Sequence, residues 1–141
     1  MSAERSSQAA TFREILVVDD ERDLCQLLKQ ALEKAGYSVT CVYNGRQAVQ
    51  QLMMHGPFDL VITDILMPER DGLELIVELR RHYPGTKILA ISGGGRIGPS
   101  LYLKEAKELG ANALLEKPFT AQQLLLAIEE LATGAASGPG S

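Results

Sequence analysis

ILVVDDE (Ile15–Glu21) sets four apolar residues directly against three acidic ones. A short continuous apolar run is how a strand buried on both faces reads, because neither side alternates with solvent. Strands of that kind belong to parallel sheets covered by helices above and below. The acidic residues that end the run then lie at the strand's C-terminal edge. Further along the chain the same signal recurs. Asp59–Thr63 (DLVIT) ends at Asp64, Lys87–Ile91 (KILAI) at Ser92, and Ala113–Glu116 at Lys117-Pro118. Tyr37–Tyr43, rich in β-branched and aromatic residues, reads as one more strand.

Between these runs the apolar residues switch to helical spacing. Leu24, Leu27, Leu28, Ala31, Leu32 and Ala35 mark a helix that Gly36 stops, and Ala48, Val49, Leu52 and Met53 mark a second, closed by Gly56-Pro57. Leu73, Ile76 and Leu79 carry a third, Tyr102, Ala106 and Leu109 a fourth, and Leu124, Ile128 and Leu131 a fifth. The glycines Gly93-Gly94-Gly95 and the pair Gly98-Pro99 argue for irregular chain before the fourth helix. Five βα units predict an α/β domain over residues 13–132, three layers deep, with helices on both faces of a five-stranded parallel sheet. Residues 1–12 read as a polar, flexible N-terminal arm and residues 133–141 (TGAASGPGS) as a flexible tail or linker.

Composition narrows the function. A length of 141 residues fits one domain, and 45% hydrophobic residues is too apolar for a disordered chain. A formal net charge of −4 argues against direct nucleic-acid binding, which needs a basic face. The longest apolar run is Leu124–Ile128, far too short to cross a bilayer. The N-terminus has no apolar stretch and contains Glu4, so it is no secretory signal, and the expected location is cytoplasmic. Cys25 and Cys41 read as reduced thiols in apolar-patterned segments, and His55 and His82 lie too far from them in sequence for a zinc site.

Doubly wound sheets place their ligands beyond the C-terminal strand ends. Asp19, Asp20, Asp64, Ser92 and Lys117 are expected to converge there. Singly, each has an ordinary explanation: an acidic pair after a strand is often a helix cap, and one Asp is common in turns. Together, three carboxylates repel one another unless a cation sits among them. Oxygen donors without His or Cys select a hard ion such as Mg²⁺. Adding an ammonium and a hydroxyl makes the set fit a phosphoryl group.

ILVVDDE (Ile15–Glu21), DLVITDILMPERDG (Asp59–Gly72), AISG (Ala90–Gly93) and GANALLEKPF (Gly110–Phe119) together resemble the receiver domain of bacterial two-component response regulators. The resemblance implies a flavodoxin-like strand order, 2-1-3-4-5. It implies that Asp64 is the phosphoacceptor, attacking the phosphohistidine of a sensor histidine kinase or phosphotransfer protein. Mg²⁺ would be held directly by Asp20 and Asp64, by Asp19 mainly through water, and by the backbone carbonyl of Leu66. Lys117 would contact the phosphoryl oxygens and Ser92 would donate to one of them. The Lys117–Pro118 bond would be cis, and Pro68 and Gly72 would shape the loop after Asp64, where Met67 packs. Such a protein catalyses only its own phosphorylation and dephosphorylation and is not a multiple-turnover enzyme. Its output goes to a downstream protein or a missing output domain, and a weak homodimer could form through the fourth helix, fifth strand and fifth helix.

Two positions bear on the competing readings. Leu114 stands where members usually carry Tyr or Phe, three residues before the lysine. It raises the alternative of a receiver-like interaction scaffold that works without phosphorylation. Leu66 stands where an Asp-nucleophile phosphohydrolase would carry its second Asp, which argues against that third reading.

Overall fold

A computed structural model describes residues 12–65, 71–93 and 99–134. Strands and helices alternate: β1 (Glu14–Val18), α1 (Arg22–Lys34), β2 (Ser38–Val42), α2 (Gly45–His55), β3 (Leu60–Asp64), α3 (Asp71–His82), β4 (Lys87–Ser92), α4 (Pro99–Leu109), β5 (Ala113–Glu116) and α5 (Ala121–Thr133). The five strands form one parallel sheet in the order β2-β1-β3-β4-β5, as the sequence implied.

The core divides at the sheet because successive strand residues point to opposite faces. Leu16, Val18, Val61 and Ile88 join one apolar cluster with Ala48 and Leu52 of α2, Ile76 and Leu79 of α3 and Ala106 of α4. Ile15, Val17, Leu60 and Ile62 join the other with Leu28 and Leu32 of α1 and Leu124 and Ile128 of α5. Each fully buried Leu or Ile contributes roughly 2 kcal/mol. Both faces of the central strands are covered, which is why they lack polar alternation. Among the described residues no helix is long and apolar enough to cross a membrane.

Several boundaries differ from the sequence expectation. β2 is confined to Ser38–Val42, and β3 is displaced by one residue so that it ends on Asp64 itself. Asp59 falls outside β3, where its Oδ2 accepts the backbone N–H groups of Arg13 (2.8 Å) and Glu14 (2.9 Å). β4 runs on through Ser92. Pro99, expected in irregular chain, is the first residue of α4. A helix's first N–H has no intrahelical acceptor, so proline costs nothing there and its fixed φ suits the turn. α5 continues to Thr133, opened by the Thr120–Gln123 capping box and closed by Gly134 at φ 78°. The expected loop around Leu66, Met67 and Pro68, the glycines Gly94 and Gly95, the arm before Phe12 and the tail beyond Gly134 lie outside the described residues.

Candidate functional site

All five residues singled out at the strand ends sit on the C-terminal edge of the sheet. Hydrogen bonds tie that edge together, with Asp19 N–H donating to the Val42 carbonyl (3.2 Å) and Lys117 N–H to the Ser92 carbonyl (2.8 Å). Asp19 and Asp64 are buried and Asp20 is exposed. One carboxylate oxygen from each lies within 4.8 Å of the others.

Lys117 reaches into this cluster from beyond β5. Its Nζ lies 3.2 Å from Asp19 Oδ2 and donates to Asp64 Oδ2 at 3.1 Å and to Glu21 Oε1 at 3.2 Å. The stem passes Gly93, where an added Cβ would sit 3.3 Å from Lys117 Cδ. The Lys117–Pro118 bond is cis. Gly72, near the start of α3, is required by close approach: a Cβ there would fall 2.2 Å from the Asp64 carbonyl oxygen and 2.4 Å from Ile65 Cα. α3 is therefore backed directly onto the chain that leaves β3. Ser92 is fully buried, and its Oγ donates to the Gly93 carbonyl at 3.3 Å.

The electrostatics are those of an incompletely compensated acidic pocket. Asp19 Oδ1 accepts the Glu21 N–H at 2.9 Å, but the buried Oδ2 has no hydrogen bond of good geometry among the described residues. Burial pushes the Asp19 carboxyl up to about 6; the Glu21 N–H works against this, Asp64 adds to it and Lys117 opposes it. For Lys117, burial favours the neutral amine, yet the Asp64 and Asp19 carboxylates reverse this and hold the ammonium above its ordinary value. Among the described residues one lysine thus faces four acidic side chains, Asp19, Asp20, Asp64 and Glu21, counting the metal-spaced trio and its own partners. A buried oxygen met by an ion pair but by no well-aligned hydrogen bond, two further carboxylates in reach and an all-oxygen donor set fit a hard divalent cation such as Mg²⁺.

Residues 15–129 match the response regulator receiver domain family. The chain belongs to that family. Among solved structures, it resembles the receiver domain of NtrX from Brucella abortus, at 32% identity over 84% of this chain and 98% of that one, with a TM-score of 0.76. It also resembles the chemotaxis response regulator CheY4 of Vibrio cholerae, at 31% identity over 86% of this chain and 99% of that one, with a TM-score of 0.75. In a longer NtrX structure from Brucella abortus the likeness (29% identity, TM-score 0.78) covers 92% of this chain but 28% of that one. Receiver domains are signalling modules of two-component systems, controlled by phosphorylation, and not multiple-turnover enzymes.

Within this receiver the sequence reading missed Glu21 as a partner of Lys117. Its contact joins residues 96 positions apart, and only the convergence of β1 and β5 reveals it. It also placed Cys25 among apolar neighbours without seeing that its Sγ donates to the Asp19 carbonyl at 3.2 Å. The Leu66 carbonyl, named as a metal ligand by resemblance, lies outside the described residues.

Proposed function

We propose that this receiver accepts a phosphoryl group on Asp64 from the phosphohistidine of a sensor histidine kinase or phosphotransfer protein, in a Mg²⁺-dependent reaction that switches its output surface. The observation that carries this reading is the buried Asp64 carboxylate, bonded to Lys117 and within 4.8 Å of Asp19 and Asp20. A carboxylate and a phosphoryl are both negative, so their approach needs compensating charge. Mg²⁺, held by Asp19, Asp20 and Asp64 together with the carbonyl of Leu66, would supply most of it.

The chain's own groups do the rest. Lys117 holds one Asp64 oxygen and so fixes the carboxylate for in-line attack. As the Asp64 oxygen bonds to phosphorus, the phosphorus–nitrogen bond of the donor breaks and its imidazole leaves. The product is an acyl phosphate. Lys117 then pairs with the phosphoryl oxygens, and Ser92 exchanges its bond to the Gly93 carbonyl for one to the phosphoryl. Both residues border β4 and β5, so the new charge pulls on the side of the sheet that α4 covers. Leu114 packs there against the cluster containing Ala106. The output therefore depends on aliphatic repacking, not on a swinging aromatic ring. The domain has cytoplasmic partners in this reading: the kinase upstream, and a downstream protein or linked output domain beyond it.

Incubation with Mg²⁺ and acetyl phosphate, followed by intact-mass measurement, tests the assignment. One phosphoryl is expected on the wild type and none on Asp64→Asn; equal labelling of the variant would refute it. The Leu114 substitution keeps a second reading in play, a scaffold indifferent to phosphorylation. Identical backbone NMR spectra of α4 and β5 with and without beryllium fluoride would favour the scaffold.

A further inference from the structure

Beneath the acidic pocket lies a pair of thiols that the phosphoryl chemistry does not use. Cys25, near the start of α1, is fully buried, while Cys41 in β2 is half-buried. Cys41 Sγ donates to the Cys25 carbonyl oxygen at 3.4 Å, so the two cysteines touch where α1 packs on β2. Cys25 Sγ donates to the Asp19 carbonyl at 3.2 Å and lies 3.9 Å from the Val42 carbonyl. That same Val42 carbonyl accepts the Asp19 N–H at 3.2 Å. One sulfur thus supports the backbone of Asp19, and its neighbour opens toward solvent.

We infer that Cys25 and Cys41 form a peroxide-responsive dithiol, and that its closure to a disulfide loosens Asp19 and weakens metal binding in the acceptor pocket. The second half rests on the Mg²⁺ reading above; the first does not. The two positions divide the labour that thiol sensors need, an accessible sulfur to react and an adjacent one to resolve. Cys41 is the accessible one. Its thiol is held below the ordinary thiol range, first by the neighbouring Cys25 side chain and then by the Lys29 ammonium, against desolvation and the Glu33 carboxylate.

The chemistry balances with a peroxide as oxidant. The Cys41 thiolate attacks a peroxide oxygen; a sulfur–oxygen bond forms, the oxygen–oxygen bond breaks, and hydroxide leaves as water after taking the thiol's proton. The Cys25 sulfur then attacks the sulfenic sulfur of Cys41. A sulfur–sulfur bond forms, the sulfur–oxygen bond breaks, and hydroxide leaves as a second water with the Cys25 proton. Two thiols have lost two electrons and two protons, and hydrogen peroxide has become two waters. The sulfurs close to about 2.05 Å. Cys25 no longer has a proton to donate, so the Asp19 carbonyl loses that bond. Loss of a supporting bond behind a metal ligand typically weakens affinity by on the order of tenfold or more.

The test treats the folded, reduced chain with hydrogen peroxide. Peptide mapping without reductant is expected to show Cys25 joined to Cys41, with the mass of two hydrogens lost. Cys25→Ala is expected to stop at a Cys41 sulfenic acid that dimedone traps, and Cys41→Ala to leave the buried Cys25 unmodified. Calorimetric titration with Mg²⁺ is expected to show a Kd weakened by on the order of tenfold after oxidation and restored by dithiothreitol. Absence of the Cys25–Cys41 peptide from the peroxide-treated chain would overturn the thiol pair. A cross-linked chain with unchanged Mg²⁺ affinity would overturn the coupling. A reduced chain that binds no Mg²⁺ would overturn the metal reading and the coupling with it, while the mass result would still decide the disulfide.

Discussion

Asp59 and Asp64 flank the same strand and are handled in opposite ways. Asp59, at the N-terminal edge of the sheet, spends its Oδ2 on two backbone N–H groups from the start of β1. It fastens one strand to the next. Asp64, at the C-terminal edge, shares one lysine with Asp19 and Glu21. The first carboxylate is satisfied by main chain and does structural work. The second stands in a pocket where, among the described residues, acidic side chains outnumber the single lysine, and in the function proposed above a cation and a phosphoryl group use that excess. In the function proposed above, the same residue type serves the fold at one edge and the chemistry at the other, because parallel strands leave free N–H groups at their N-terminal end and gather ligands beyond their C-terminal end.

Four changes sharpen this contrast, taken from the largest effect to the smallest. Gly72→Ala drives a Cβ into the backbone of Asp64 and Ile65. It should cost about 3 kcal/mol or more in urea unfolding, because main chain and not a flexible side chain has to move; a loss under about 1 kcal/mol would mean that α3 is not packed on the end of β3 as described.

Asp19 gives the second change. Its folded-state pKa of about 6 lies above the ordinary 3.8, so between these values the folded chain binds a proton that the unfolded chain does not. The contribution of Asp19 to stability is therefore highest below about pH 4 and falls as the pH rises through 6, by on the order of 3 kcal/mol without metal. Asp19→Asn keeps an acceptor for the Glu21 N–H and should flatten that part of the profile. Saturating Mg²⁺ should offset the loss in the wild type. Parallel profiles for the two proteins would place the charge problem elsewhere.

At the opposite edge, Asp59→Ala should cost about 1 kcal/mol, since both its bonds are near solvent. Mg²⁺ affinity should stay as in the wild type; a change there would mean the two edges are not separable. Glu21→Gln should be the mildest, within about 0.5 kcal/mol, because Glu21 is exposed and its pairing with Lys117 is screened. A larger loss would show that Lys117 depends on Glu21 for its place.

The fold was legible because burial on both faces leaves a plain mark: ILVV, LVIT and ILAI have no polar alternation, and each is followed by a polar residue at the strand's end. The principal site was legible for the same reason, since the topology carries every strand end to one edge. What stayed hidden depended on contacts between distant segments. Neither Glu21 beside Lys117 nor Cys41 beside Cys25 follows from local periodicity, which reports the face a residue occupies but not its neighbour across a gap. Pro99 was misread because proline signals a break in a helix interior and a beginning at its first position, and the sequence pattern alone did not separate the two.

The most direct test titrates the metal-free chain with Mg²⁺ by calorimetry at pH 7.5, in parallel with Asp19→Asn and Asp64→Asn. One ion bound by the wild type, with affinity lost by on the order of a hundredfold in each variant, is the predicted result. Wild-type affinity in either variant would contradict a shared pocket built from β1 and β3.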